Sequence, residues 1–204
     1  MALPRRTAMV SEEVLSEIDR AIKTVWTHQM ARDYSQDYLF REDSVKCALY
    51  FHLRKKLDRL LRENNLRLYP EFVFHDLKFR ADLAIVEMDF ERDGAYLGDY
   101  ICDVVAIIEI KYTAGVDSGT TNWVKNDVKK LKRYLQDGHL DCQCYFAVIY
   151  EEECSVLRWM DKRATNNWAK GHVTELDAGY IDGKMRFEVN SYNGLNPELQ
   201  ANET

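Results

Sequence analysis

The sequence lacks any apolar run long enough to cross a membrane. No uninterrupted stretch approaches the roughly 18 apolar residues that a transmembrane helix requires. The opening residues, MALPRRTAMVSEEV, also lack the apolar core of about 7 to 15 residues that a secretory signal contains. These absences argue against the membrane-protein and secreted classes, so we expect a cytoplasmic protein with no membrane partner.

Cysteine is scarce, and its spacing fits no metal site. The five cysteines are odd in number, and no two are separated by the two-residue gap that zinc and iron–sulfur sites use. Cys142 and Cys144 alternate along a predicted strand, which favours buried reduced thiols over a disulfide. The five histidines show no metal-ligand spacing either.

Several catalytic signatures are missing as well. The chain contains no G-x-S-x-G, no P-loop and no glycine fingerprint for dinucleotides. A Cys/His nucleophile pair stays open, but nothing favours it. The net charge of −6 argues against a protein that coats nucleic acid through its overall charge, so any such contact must be local.

What the chain does contain is enough apolar material for one α/β domain. Its 204 residues are 46% hydrophobic, and no Pro/Gly/Ser-rich stretch marks an internal boundary. We therefore predict a single domain over 1–204. Its parts are a core at about 41–150, an N-terminal helix at about 11–33, a C-terminal extension at about 151–192 and a disordered tail at about 193–204.

The hydrophobic periodicity of the core predicts the order helix, three strands, helix, strand. The predicted helices span about 41–63 and 121–136, and the strands span 66–74, 81–88, 101–112 and 144–150. The second and third strands should pair as an antiparallel hairpin. In the C-terminal extension we expect a helix at about 154–169 and a hairpin around Asp182-Gly183, a dipeptide favoured in tight turns.

Two charges interrupt the most strand-like stretch, DVVAIIEIKY at 103–112. Side chains alternate along a strand, so Glu109 and Lys111 share one face, where a buried unpaired charge would be costly. Asp82 opens the apolar run of the neighbouring strand, and an antiparallel hairpin brings it beside the end of the next. Convergent carboxylates with a nearby lysine are what Mg²⁺ requires. The alternative is a frayed strand end whose charges simply face water.

Asp82, a gap of 26 residues and then Glu-Ile-Lys at 109–111 resemble the signature of the PD-(D/E)XK nuclease superfamily. The element order over 41–150, about half of the chain, resembles its restriction-endonuclease-like core; Ala81 replaces the usual proline. The resemblance implies an α/β fold with a mixed central sheet flanked by helices. It also implies a nuclease that uses Mg²⁺, or Mn²⁺, to hydrolyse DNA, of restriction, defence or repair type.

The resemblance further implies the roles of individual residues. Asp82 and Glu109 would bind the metal, the carbonyl of Ile110 would add a ligand, and Lys111 would act on the attacking water. The family's first core helix often supplies a further metal-site glutamate, and Glu42 is placed for that role. Glu42 also lies on the apolar stripe of its helix, which predicts an inward carboxylate. The alternative is an acid that complements the helix dipole.

Nucleic-acid contacts are predicted on the helix at 121–136. Trp123, Asp127, Lys130 and Tyr134 form a stripe roughly 90° from its core stripe, and this second stripe could border the site. Lys130 and Tyr134 resemble a pair four positions apart in some branches of the superfamily, although the usual glutamine is absent. We expect them, with the outward-facing Lys125, to contact nucleic acid. The alternative for Lys130 is a solvated lysine packed on Tyr134.

Two other classes of function stay open at this stage. One is a non-catalytic protein of the same fold that binds nucleic acid or serves as a protein-assembly module, which the negative net charge favours. The other is an unrelated α/β fold in which the charges form a structural ion pair. A homodimer or a complex with a partner protein is open as well, since related enzymes often pair to cut both strands.

Overall fold

The computed structural model describes residues 10–74, 77–114, 118–138 and 140–200, and only the backbone of 118–123. The chain forms an α/β structure in which helices cover both faces of one six-stranded mixed sheet. No helix within these ranges is long and apolar enough to cross a membrane.

The predicted helices at about 11–33, 41–63 and 121–136 are observed, with differences near their ends. The described ranges contain five α-helices: α1 Glu12–Thr24, α2 Ala31–Ser35, α3 Glu42–Glu63, α4 Ser118–Gln136 and α5 Lys162–Thr165. A π-helical segment, Val25–Met30, joins α1 to α2, so the predicted N-terminal helix is continuous but not uniform. The amide of Val14 donates to Oγ of Ser11 at 3.3 Å, which caps the start of α1.

Neighbouring strands of the sheet follow the order of the chain. The strands are β1 Leu66–Phe74, β2 Phe79–Met88, β3 Ile101–Thr113, β4 Gln143–Glu153, β5 Val173–Ile181 and β6 Lys184–Ser191. β1, β2 and β3 pair antiparallel, which confirms the predicted hairpin of the second and third strands. β3, β4 and β5 pair in parallel, with α4 as the crossover between β3 and β4, and β6 returns antiparallel to β5.

The sheet separates two apolar cores. α1 and α3 pack on one face, and α4 packs on the other together with the segment before β5. β3 contributes alternate residues to both cores, because Ile108 and Ile110 face α3 whereas Ile107 faces α4. A strand covered on both sides needs a nearly continuous apolar sequence. Any charge on β3 is therefore removed from bulk water unless it lies at an edge.

The predicted helix at about 154–169 is wrong for most of its length, since only the four residues of α5 are helical. The backbone amides of Trp159 and Met160 both donate to Oε1 of Glu175 at 2.7 Å. These amides therefore donate to a side chain that is distant in the sequence instead of forming hydrogen bonds within a helix. The predicted hairpin is confirmed: β5 and β6 meet at Asp182 and Gly183, with φ of 52° and 68° as a type I′ turn requires.

The expectation of a disordered tail is wrong for residues 193–200. Asn193 and Asn196 are buried, and both side-chain amides donate to the carboxylate of Asp19 on α1, at 2.9 and 2.8 Å. A short 3₁₀ turn, Pro197–Leu199, follows. Polar side chains rather than apolar ones hold this segment, so its composition gives no sign of packing. The last four residues lie outside the described part of the chain.

Candidate metal and phosphate site

The register of β2 against β3 brings Asp82 and Glu109 together. Leu83 pairs with Ile108, and one further step along the two antiparallel strands places Asp82 opposite Glu109. Oδ2 of Asp82 accepts a hydrogen bond from the amide of Ile110 at 2.8 Å, which fixes that carboxylate across the two strands. The structure therefore places these two predicted site residues at one end of the β2–β3 hairpin.

Glu109 is almost completely buried, with 2% of its surface exposed. The hydroxyl of Tyr134 donates to Oε1 at 3.0 Å, and Nζ of Lys130 donates to Oε2 at 2.6 Å. Burial raises the pKa of Glu109 to about 8; Lys130 offsets part of this effect, and the charge of Asp82 adds to it. At neutral pH the carboxyl group of Glu109 is therefore mostly protonated even with Lys130 beside it, and a further cation would favour its charged form.

The other oxygen of Asp82 belongs to a second ion pair. Nζ of Lys46, which extends from α3, donates to Oδ1 of Asp82 at 3.3 Å and also pairs with Glu71 on β1. Arg80 holds the far oxygen of Glu71 at 2.7 Å. Burial alone would lower the pKa of Lys46, but Glu71 and Asp82 outweigh burial and raise it. The ammonium of Lys46 is therefore charged at neutral pH.

Lys111 lies between two further carboxylates. Its Nζ donates to Oε2 of Glu42 at 2.9 Å and forms an ion pair with Oδ2 of Asp127 at 3.2 Å. Burial acts to lower the pKa of Lys111, yet the two acids raise it above its ordinary value. Burial also raises the pKa of Asp127, with Lys111 opposing it. Glu42 thus points toward the site, and Lys111 is a protonated donor there.

The three residues predicted to contact nucleic acid lie in different environments. Tyr134 is fully buried, and its ring packs 5.0 Å from Phe74 and 5.6 Å from Phe79 between centroids. The prediction that Tyr134 touches nucleic acid is therefore wrong for this conformation, because the ring supports Glu109 from inside the core. Lys130 is partly exposed and pairs with Glu109. Lys125 is exposed on α4, and its contact with nucleic acid stays a prediction.

Sequence reasoning did not name Lys46, Glu71 or Arg80, and it named Asp127 only as part of a stripe that could border the site. A signal existed for Lys46 and for Asp127. Lys46 lies one helical turn after Glu42, so both side chains point to the same end of the sheet. Asp127 lies on the stripe of α4 that carries Lys130 and Tyr134, and that stripe does border the site. The side chain of Trp123, the fourth member of this stripe, lies outside the described part of the chain.

The types of donor atom at the site suit a hard divalent cation. The candidate ligands are carboxylate oxygens, which Mg²⁺ and Mn²⁺ prefer, and the burial of Glu109 beside Asp82 favours a cation. Within the described ranges, however, no three His, Cys, Asp or Glu side chains are grouped so that they could hold a metal ion. The ammonium groups of Lys46 and Lys130 occupy the oxygens that such an ion would need.

Comparison of this chain with protein-family models, with curated proteins and with solved structures finds no match. Relatives therefore supply neither a fold family nor an activity. Any functional assignment therefore rests on the geometry and the charges of the cluster.

Proposed function

We propose that this chain is a Mg²⁺-dependent nuclease, with Mn²⁺ as an alternative ion, that hydrolyses phosphodiester bonds in DNA. The observation that carries the proposal is the meeting of Asp82, Glu109 and Lys111 at one end of the β2–β3 hairpin. The element order from α3 to β4 further supports assignment to the restriction-endonuclease-like core of the PD-(D/E)XK superfamily. DNA is preferred over RNA because of that resemblance.

In this proposal Asp82 and Glu109, with the carbonyl of Ile110, would hold the cation. The ion would stabilise the negative charge that develops on the phosphoryl group. The protein supplies orientation: the amide of Ile110 fixes one oxygen of Asp82, and the buried hydroxyl of Tyr134 fixes one oxygen of Glu109. Both carboxylates are therefore presented by rigid elements, as a precise site requires.

Lys111 has an electrostatic role here rather than that of a base. Its pKa is raised by Glu42 and Asp127 despite burial, so the amine carries its proton at neutral pH. A protonated ammonium cannot take a proton from water, but it can donate a hydrogen bond that orients the attacking water and offsets charge on the phosphate. Glu42 and Asp127 are positioning residues, since they hold Lys111 in place.

A second function, binding of nucleic acid or assembly with a protein without hydrolysis, is favoured by one specific observation. Asp82 and Glu109 are each paired with a lysine of the chain itself. A fold that had lost its metal would be stable with such internal pairs. This alternative expects DNA or protein binding that does not depend on a divalent cation.

Nicking of supercoiled plasmid separates the two functions. The wild-type protein should convert supercoiled DNA to the open-circular form in Mg²⁺ or Mn²⁺, and a chelator should stop the reaction. Lys111→Ala should slow nicking by at least about 100-fold, since loss of one positioned hydrogen-bond donor that stabilises developing charge has an effect of that size.

Lys184→Ala is the matched control, because Lys184 is exposed at the β5–β6 turn and is not among the site residues. It should nick at the wild-type rate. Pure wild-type protein that leaves plasmid, linear duplex and single-stranded DNA intact would count against hydrolysis and in favour of the binding function.

A further inference from the structure

The two carboxylates at the centre of the cluster are held in the same way. In each of them one oxygen accepts a hydrogen bond from a rigid donor: the amide of Ile110 for Asp82, and the buried hydroxyl of Tyr134 for Glu109. In each, the second oxygen accepts from a lysine ammonium: Lys46 for Asp82 and Lys130 for Glu109. A cation that bound both carboxylates would have to take the places of these two ammonium groups.

The two lysines are partly exposed, whereas the other two donors belong to the sheet and to the buried core. The side chains of Lys46 and Lys130 keep 14% and 22% of their surface exposed, and each comes from a helix that borders the sheet rather than from the sheet itself. Each has a second partner, Glu71 for Lys46 and the carbonyl oxygen of Arg80 for Lys130. An ammonium that leaves its carboxylate therefore still has an acceptor or water nearby.

The charges balance in this exchange when Glu109 is ionised. Two ammonium groups then neutralise Asp82 and Glu109, and one divalent cation would neutralise them equally well. Lys130 would remain beside the site without a counter-ion, and Lys46 would share the carboxylate of Glu71 with Arg80, so the excess positive charge would attract a polyanion such as the DNA backbone. Binding of the metal and binding of phosphate should consequently favour each other.

We propose that Lys46 and Lys130 are internal counter-ions of the site, which compete with a divalent cation for Asp82 and Glu109 and, once displaced, bind the phosphates of the substrate. The inference rests on the proposed function, because it takes the two carboxylates as the metal ligands. It assigns Lys46 a role that the sequence alone did not indicate. Lys130 would pair first with Glu109 and, after the metal binds, with a phosphate of the substrate.

Calorimetric titration with Mn²⁺ alone tests the competition directly. The titrations use wild-type protein, Lys46→Gln and Lys130→Gln at several pH values above 8, where the carboxyl group of Glu109 is mostly ionised in the wild type. Loss of Lys130 raises the pKa of Glu109 further, so the affinities are compared after correction for protonation of this carboxyl group. Each variant should bind Mn²⁺ about tenfold more tightly than the wild type, because one competitor is gone. Lys130→Arg keeps the charge and should retain wild-type affinity.

Lys111→Gln is the matched control for charge. It removes a positive charge from the same cluster, but its ammonium contacts Glu42 and Asp127 instead of the two metal ligands. The gain in Mn²⁺ affinity should be clearly smaller than for the other two lysines. An equal gain would mean that general electrostatics, and not occupation of the ligand oxygens, sets the affinity, and the proposal would be overturned.

The second half of the proposal is tested with a labelled oligonucleotide. In the presence of Mn²⁺, Lys46→Gln and Lys130→Gln should each bind it about 10- to 100-fold more weakly than wild type, the effect of one lost hydrogen bond between charged groups. Unchanged oligonucleotide affinity would overturn the phosphate role.

Failure of the inference and failure of the proposed function give different results. Wild-type protein that binds Mn²⁺ and cleaves DNA, with variants that bind Mn²⁺ equally or more weakly, contradicts only the counter-ion role. Absence of Mn²⁺ binding in the wild type and in every variant contradicts both. Thermal melting of each variant shows whether it is folded, and Lys46 and Lys130 lie on different helices, so the two test the idea independently.

Discussion

Two networks of lysine–carboxylate ion pairs in this molecule contain the same types of charged group but differ in their burial and in their other partners. In the first, Lys23 and Asp19 on α1 form an ion pair of 2.7 Å with both side chains 0% exposed. In the second, Lys46, Lys111 and Lys130 pair with acids at the end of the β2–β3 hairpin and remain partly exposed. Burial and the chemistry of the remaining partners distinguish the two.

Neutral groups complete the Asp19–Lys23 pair. Tyr145, Asn193 and Asn196 donate to the carboxylate of Asp19 at 2.8 to 2.9 Å. A fully buried pair with every lone pair used has no room for a ligand, and its partners join α1, β4 and the C-terminal segment. We read it as structural.

Acids are the main partners of the lysines in the cluster at the hairpin end. Glu71 and Asp82 share Lys46, and Glu42 and Asp127 share Lys111, whereas Lys130 contacts Glu109 and the carbonyl oxygen of Arg80. Because these contacts are partly open to water, each is worth less than a buried one and can be exchanged for a ligand. The comparison therefore teaches that exchangeable pairs, rather than charged pairs in general, indicate a functional site.

The largest effect is expected from a substitution that breaks the Asp19–Lys23 ion pair. Asp19→Ala leaves the ammonium of Lys23 buried without its counter-ion and should lower the free energy of unfolding by about 3 to 5 kcal/mol. Urea unfolding measures this loss. Glu17→Ala, on the exposed side of the same helix, is the control and should change stability by no more than about 0.5 kcal/mol. Similar small losses for both variants would show that the buried pair has no special structural role.

The second prediction concerns the pH dependence of Glu109. Its pKa is about 8 in the folded protein against an ordinary value of 4.5, so the folded state keeps the proton over this window and the unfolded chain does not. The contribution of Glu109 to stability is full below pH 4.5 and is lost as pH rises toward 8. Glu109→Gln removes this loss, and its stability relative to wild type should rise across the window by up to about 4 kcal/mol.

Denaturant unfolding of both proteins at several pH values supplies the test. Only the difference between the two curves matters, because other buried acids such as Glu175 and Asp177 titrate equally in both proteins. If the difference in free energy of unfolding between the two proteins stayed constant from pH 4.5 to 8, the raised pKa would be contradicted. Glu109 would then titrate like an ordinary surface acid.

The smallest effect comes from Tyr134→Phe. The substitution keeps the ring packed against Phe74 and Phe79 and removes only the hydrogen bond to Oε1 of Glu109. We expect a loss of about 1 to 2 kcal/mol in the free energy of unfolding, together with slower plasmid nicking, because Glu109 loses its rigid support. Tyr96→Phe, at a residue 78% exposed, should change neither. Normal nicking by Tyr134→Phe would remove this residue from the site.

The sequence predicts the fold well where local pattern and burial agree. Apolar β-branched runs define β3 and β4, and the apolar stripe from Val45 to Leu61 defines α3. The prediction fails at 154–169, where amides of the chain bind Glu175, and at 193–200, where Asn193 and Asn196 bind Asp19. In both places distant polar partners decide the structure, and no local periodicity reports them.

The site was predictable in part for the same reason. Alternation along β3 and the hairpin register are local properties, and they suffice to bring Asp82, Glu109 and Lys111 to one end of the sheet. The contribution of Lys46 and Asp127 depends on how α3 and α4 lie across the strands, which a solvated-looking charge on a helix does not reveal. The burial of Tyr134 likewise follows from packing against β1 and β2, not from its spacing to Lys130.

The most direct test of the central claim is the rate of plasmid nicking by Glu109→Gln at saturating Mn²⁺. The variant keeps the size of the side chain and removes the charge that would hold the cation. With folding verified by thermal melting, we predict a rate at least about 100-fold below that of the wild type, since the loss of one electrostatic group in a preorganised site has effects of this size. A folded Glu109→Gln protein that nicks plasmid at the wild-type rate would contradict the account.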